Sequence, residues 1–275
     1  VDFHAIIEHN LFVECRGENE IISIKSGANQ IRYNTFVNNW GTLSLRHGNG
    51  NDVYGNSFFG EGESREGGVR IFNADNKVYN NYFEGLGGSG MGYAALIIRA
   101  GNVDEPVKEE DLGGGWRVKR SQVAFNTFVD NKQAINISSD EANPYMPIDT
   151  TVANNIVVGG TGAIVIENVG EQPSGITWTG NIINPGRNAL LLLRLDDKTE
   201  QQIRIEDPLL AHNGLFYQIS KDSPAVGAAM GTWDFLEDDL VGFARKGALD
   251  IGASQYQEPP GKRQPLTPEL VGPNR

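Results

Sequence analysis

The segment EIISIKSGANQIRYNTFVNNWGTLSLRHG, residues 20–48, sets Lys25 and Arg46 at matching places in two short apolar strands. Aligned at an offset of 21, Ile22 falls on Leu43, Ser23 on Ser44, Ile24 on Leu45 and Lys25 on Arg46. In neighbouring strands such equivalents lie about 4.8 Å apart, so Ser23, Lys25, Ser44 and Arg46 share the face opposite the apolar residues. The later strand GGVRIF adds Arg70, outward over Ser44. Two cations at that spacing disfavour each other, and an arginine cannot yield its proton. That leaves Lys25 as a candidate base with Arg46 as its electrophilic neighbour. Solvated surface residues are the plain alternative for both.

Upstream, Glu18 and Glu20 stand two apart in GENE and face the same way in extended chain. Carboxylates so spaced suit a hard cation such as Ca²⁺, which takes more oxygens than these two supply; they equally suit a solvated edge. His47 follows Arg46 and points differently, either to orient a neighbour or to touch a substrate. The single cysteine, Cys15 in LFVECRG, excludes an internal disulfide and reads as a small buried hydrophobe.

What must position these side chains is a repeat. HNLF recurs as YNTF, GNSF, NNYF, FNTF, NNIV and GNII, marking Asn10, Asn34, Asn56, Asn81, Asn126, Asn155 and Asn181. Between the marks lie period-two apolar strands such as EIISIKS, YAALIIRAG and TGAIVIEN, bounded by Gly, Asn and Asp, with no convincing helical period. Short strands recurring every twenty-odd residues predict an all-β fold, a right-handed parallel β-helix, with the asparagines as ladder and turn residues. Leucine-rich repeats, the nearest rival solenoid, need a denser leucine pattern. The long interval from Asn81 to Asn126 predicts a loop extruded from one coil around residues 101–120, overhanging one face.

The coils are expected over residues 1–200, irregular closing coils of the same domain over 201–257, and a proline-rich tail or linker over 258–275. Residue 1 begins directly in repeat sequence, so the solenoid reads as lacking its amino-terminal coils. A net charge of −12 argues against nucleic acid as a partner, and no apolar run is long enough for a membrane span. Local clusters of cations still allow an anionic polysaccharide.

The series Glu-x-Glu…Lys-Ser…Arg-His-Gly, followed by GGVRI, resembles polysaccharide lyase family 6, the β-helix alginate lyases and chondroitinase B, over roughly residues 5–190. The resemblance implies β-elimination with Lys25 as Brønsted base, Arg46 as acid, Arg70 and His47 on the substrate, and Ca²⁺ held by Glu18, Glu20 and an asparagine. That asparagine would lie in a coil before Val1; a missing amino-terminal segment or a second β-helix domain is the further partner expected. It also implies a periplasmic or secreted setting. GTLSLRHGNGN looks closer to the alginate branch, which makes alginate the expected substrate. The rivals are a lyase of dermatan sulfate or another glycosaminoglycan, to which GGGWRVKR could supply extra cations, and a non-catalytic polysaccharide-binding β-helix.

Overall fold

The computed structural model describes residues 1–106, 108–168, 174–193, 195–257 and 261–272. Three parallel sheets run the length of a solenoid, and each coil gives one strand to each sheet in turn. The first sheet stacks seven strands from Ile6–Glu8 to Ile176–Thr179, and the second eight from Leu11–Val13 to Ile203–Ile205. The third stacks Glu20–Lys25, Gly41–His47, Glu66–Ile71, Leu96–Ile98, Ile135–Ser138, Gly162–Asn168 and Ala189–Leu192. This is the parallel β-helix expected from the repeat. Among the described residues, helix is confined to one turn at Gly90–Tyr93 and three short 3₁₀ segments.

Stacking explains the choice of residue at each repeated place. Inward positions of the third sheet form columns, Leu43 on Val69 on Leu96 on Ile135, all fully buried. Each such side chain contributes about 1.5–3 kcal/mol on leaving water. In the second sheet Phe12, Phe36, Phe58, Phe83 and Phe128 stack nearly parallel, with ring centroids 4.4–4.8 Å apart.

The turn from first to second sheet carries the asparagine ladder. Each Oδ1 accepts from the backbone N–H and, nearly throughout, the Nδ2 of the equivalent asparagine one coil earlier, at 2.9–3.0 Å from Asn34 to Asn181. The residue before each ladder asparagine is left-handed, from His9 at φ 55° and Tyr33 at 55° to Gly55 at 64° and Phe125 at 56°. For a bulky side chain that conformation costs about 1–2 kcal/mol, which the ladder offsets. A second ladder, Asn29, Asn51 and Asn76, serves the turn into the first sheet.

Two expectations are corrected here. Cys15 is exposed, because it sits in the turn after Leu11–Val13 and not on the inward side of a strand. The chain after Ile205 does not wind on as further coils; it turns back and lies along the flank. Met230 N donates to Asn154, Arg245 Nε to Asn80, and Tyr217 N to Tyr82 Oη. Arg245 is buried over the Phe125 ring, its guanidinium donating to Asn80, Asp250, Gln255 and Gly252. The described part of the proline-rich tail, 261–272, is docked: Lys262 and Arg263 bond to Val241, and Leu266 N to Thr35 Oγ1. Pro259, Pro260 and Pro273 lie outside the described residues.

Candidate functional site

The third sheet turns its outer face to solvent with the polar residues of the sequence series on it. The ladder pairs Ile22 with Leu43, Ser23 with Ser44, and Ile24 with Leu45, as the offset of 21 requires. It then slips, and Lys25 pairs with His47 instead of Arg46. The cause is an extra residue in the Gly41–His47 strand, Arg46, which leaves the ladder as a bulge; bulges of this kind re-aim a side chain. The expected direct stacking of Lys25 on Arg46 is therefore corrected. Both remain beside His47, whose imidazole feels the charge of each.

Ser44 pairs with Arg70, as anticipated, and Arg70 Nε donates to Ser44 Oγ at 3.1 Å. Arg70 Nη2 donates to Glu20 Oε1, which also receives Arg46 Nη1 at 3.5 Å. Glu20 is thus the counter-charge to two guanidiniums. Burial works to raise its pKa, but the Ser23 hydrogen bond and the charges of Arg70 and Arg46 outweigh burial and hold it below the ordinary value. Lys25 is exposed, and among the described residues it has no ion pair. Burial, then the charges of Arg46 and Lys25, depress His47 against the opposing pull of Glu20, so its ring is neutral at pH 7.

Sequence reasoning missed two residues of this surface. Arg99 follows Leu96–Ile98 and reaches the same face one coil beyond Arg70; its Nη1 is buried without a hydrogen-bond partner. Burial lowers its pKa, Asp140 opposes that and Arg70 adds to it. The signal was present in YAALIIRAG, where Arg99 closes an apolar strand much as Lys25 closes EIISIK. The second is Trp116 on the extruded loop, with its ring centroid 5.9 Å from that of His47. The loop does overhang a face of the solenoid, and it is this one.

The fit to Ca²⁺ is poor with these residues alone. Glu18 is exposed in a bend before the strand, while Glu20 is committed to Arg70 and Arg46. No group of three or more His, Cys, Asp or Glu among the described residues could hold a metal ion. Two carboxylates, one already neutralised, fall well short of the six to eight oxygens Ca²⁺ takes.

What this face can do is bind carboxylates and move a proton. It offers Arg46, Arg70 and Arg99 on adjoining coils, a solvent-facing lysine without a counter-ion, and a neutral imidazole next to it. Such a set places cationic donors about 4.8 Å apart, one coil to the next.

Known proteins give the same direction. The chain is 26% identical to the PL6 family alginate lyase AlyGC, covering 96% of this chain and 32% of that one, with a TM-score of 0.64. A mannuronic acid specific polysaccharide family 6 lyase from human gut microbiota is 28% identical over 74% of this chain and 45% of that one, at 0.59. The PL6 family polysaccharide lyase Pedsa3628 from Pseudopedobacter saltans is 26% identical over 74% and 52%, at 0.51. The chain thus spans about a third to a half of these structures' length. No curated protein matches it. The family model described as Chondroitinase B matches residues 3–222, from the first coil to beyond the last. A match over that extent, on a solenoid shared with family 6 lyases, means that the chain belongs to the chondroitinase B family, polysaccharide lyase family 6.

Proposed function

We propose that this chain carries the reacting face of a lyase that cleaves alginate by β-elimination. The observation that carries the reading is Lys25, solvent-facing and without an ion pair, set by a bulge beside neutral His47 and Arg46 on a face that continues through Arg70 and Arg99. A uronate bound with its carboxylate against Arg70 and Arg99 has its developing enolate charge stabilised by those guanidiniums. Lys25 Nζ, reacting as the free amine, takes the C5 proton; the C5–H electrons form the C4–C5 double bond. The C4–O bond breaks as Arg46 donates a hydrogen bond to the departing oxygen, which takes up a proton from solvent. The proton on Lys25 then returns to solvent. No water is consumed, which separates this chemistry from hydrolysis by two carboxylates.

Ca²⁺ enters only as a charge that Glu18 and Glu20 would help to hold, where it would neutralise the substrate carboxylate; no step above depends on it. We also place the protein in the periplasm or outside the cell, on resemblance alone.

Alginate is favoured over a sulfated glycosaminoglycan by the state of the loop cations. Arg117 and Lys119 of GGGWRVKR are both bound to Asp104, at 3.3 and 3.1 Å, and Lys119 also to Glu105 at 2.9 Å. Each therefore already has a carboxylate partner within the loop, whereas Arg46 and Arg70 share the single carboxylate of Glu20. The test is the ultraviolet absorbance of the unsaturated product on adding alginate or dermatan sulfate to the protein and to Lys25→Ala. Absorbance with alginate that is lost in the variant supports the reading; absorbance with dermatan sulfate alone moves the substrate. No absorbance with either, together with retained alginate binding, would leave a binding β-helix in its place.

A further inference from the structure

His47 lacks the anchor that a functional imidazole ordinarily has. Its Nδ1 is buried with no hydrogen-bond partner among the described residues. The torsion that turns an imidazole is broad and roughly two-fold, so an unbonded ring takes its orientation from packing. The ring that faces it is Trp116, whose centroid lies 5.9 Å from that of His47 at an interplanar angle of 57°.

Trp116 is itself firmly held. Its Nε1 donates to Asp111 O at 3.0 Å, and its backbone bridges to Val103 across the loop. Gly115 N donates to Asn102 Oδ1 at 2.7 Å, and Gly115 sits so tightly on Phe72 that a Cβ there would lie 3.1 Å from the ring. Arg117 Nε donates to Met146 O at 2.6 Å, and Asp104 ties Arg117 to Lys119. Trp116 O accepts from Asn73 N, and Asn73 Nδ2 in turn donates to Arg46 O and Gly48 O, on either side of His47. The loop is therefore joined to the backbone of the bulge as well as to the ring.

We propose that Trp116 is a positioning residue that acts through His47: the extruded loop presses its indole on the imidazole and so fixes the flank against which Lys25 is set. This rests on the lyase reading above. The loop then has a part in the reaction although none of its atoms need touch the sugar.

The test uses the full-length protein with Trp116→Ala, Trp116→Phe, His47→Ala and the double Trp116→Ala/His47→Ala. Trp116→Ala is expected to lower kcat by roughly ten- to a hundred-fold, the loss typical of a small misplacement of a reacting group, with KM changed less than about two-fold. Trp116→Phe restores most of kcat. In the His47→Ala background the Trp116→Ala change has no further effect, since its route is gone. Losses that multiply, or a rise confined to KM, overturn the proposal and make Trp116 a sugar contact or a structural prop.

Carbethoxylation of His47 by diethylpyrocarbonate, followed by peptide mass, gives a readout that needs no turnover. Its rate should rise several-fold in Trp116→Ala while those of His4, His9 and His212 stay put; an unchanged His47 rate overturns the proposal whatever the activity. A wild-type protein that yields no unsaturated product from either polysaccharide overturns the lyase reading, and with it the role of Trp116 toward Lys25, even where His47 is protected.

Discussion

Replacing Asn81 by alanine tests whether the ladder or the apolar columns set the stability of the solenoid. Asn81 is fully buried. Its Oδ1 accepts from Asn56 N and Asn56 Nδ2, both at 3.0 Å; its Nδ2 donates to Val53 O at 2.9 Å and Asn126 Oδ1 at 3.0 Å. Truncation leaves Asn56 N without an acceptor, which costs about 1–3 kcal/mol for a buried donor. The other groups lose one partner but keep another: Asn56 Nδ2 still has Ile31 O and Tyr54 O, and Asn126 Oδ1 still receives the backbone N–H of residue 81. At about 0.5–1 kcal/mol for each of these two bonds and the one to Val53 O, the total comes to roughly 2.5–6 kcal/mol. Asn10, at the exposed edge of the first coil, gives only two side-chain bonds, to Glu8 O and Asn34 Oδ1, and Asn10→Ala should cost under about 1 kcal/mol. Urea unfolding followed by circular dichroism measures both. An Asn81→Ala loss no larger than that of Asn10→Ala would refute the view that ladder satisfaction is a major stabilising term.

Other outcomes follow from the reacting face. Lys25→Ala should lower kcat on alginate by about 10²–10⁴-fold, with stability unchanged in the same urea titration, because Lys25 is exposed and unpaired. Arg99→Ala should raise KM by roughly ten- to a hundred-fold through one lost charge-assisted bond, and Arg99→Lys should recover only part of it. For pH, Glu20 is depressed below 4.5, so its contribution to stability is present above that value and is lost as pH falls through the native pKa. Glu20→Gln should remove that acid dependence and destabilise the protein at neutral pH, since half-buried Arg70 loses its counter-charge. Chelator should leave the unfolding midpoint of this chain unchanged; a chelator-dependent fall would show that Glu18 and Glu20 hold a cation together with further oxygen ligands.

The sequence made the solenoid legible because stacking repeats each constraint once per coil: the asparagine, the phenylalanine after it and the alternating strand all recur. Ser44 over Arg70 was readable for the same reason. What broke the period was not readable. Arg46 leaves the ladder as a bulge, and nothing in GTLSLRHG says where an extra residue will be shed, so Lys25 was set against the wrong neighbour. Cys15 looked inward by its apolar neighbours but lies in a turn. Arg99 was visible as a letter, yet the charges that face it, Asp140 and Arg70, arrive from other parts of the chain. Trp116 meets His47 across sixty-odd residues of sequence, through a loop with no period at all.

The returning flank segment changes how such a molecule comes apart. A bare stack of coils behaves as a one-dimensional chain in which each unit holds only its neighbours, and it can fray from either end. Here Ala253 N bonds to Thr127 Oγ1 and Leu266 N to Thr35 Oγ1, closing contacts across 126 and 231 residues of sequence. The stack becomes a laced structure, in which the coils that carry Thr35 and Thr127 cannot separate until the lacing has been released. Cooperative loss of all coils together is the consequence, and a slow final step in folding is its counterpart, because contacts at such separation form only after the coils they join.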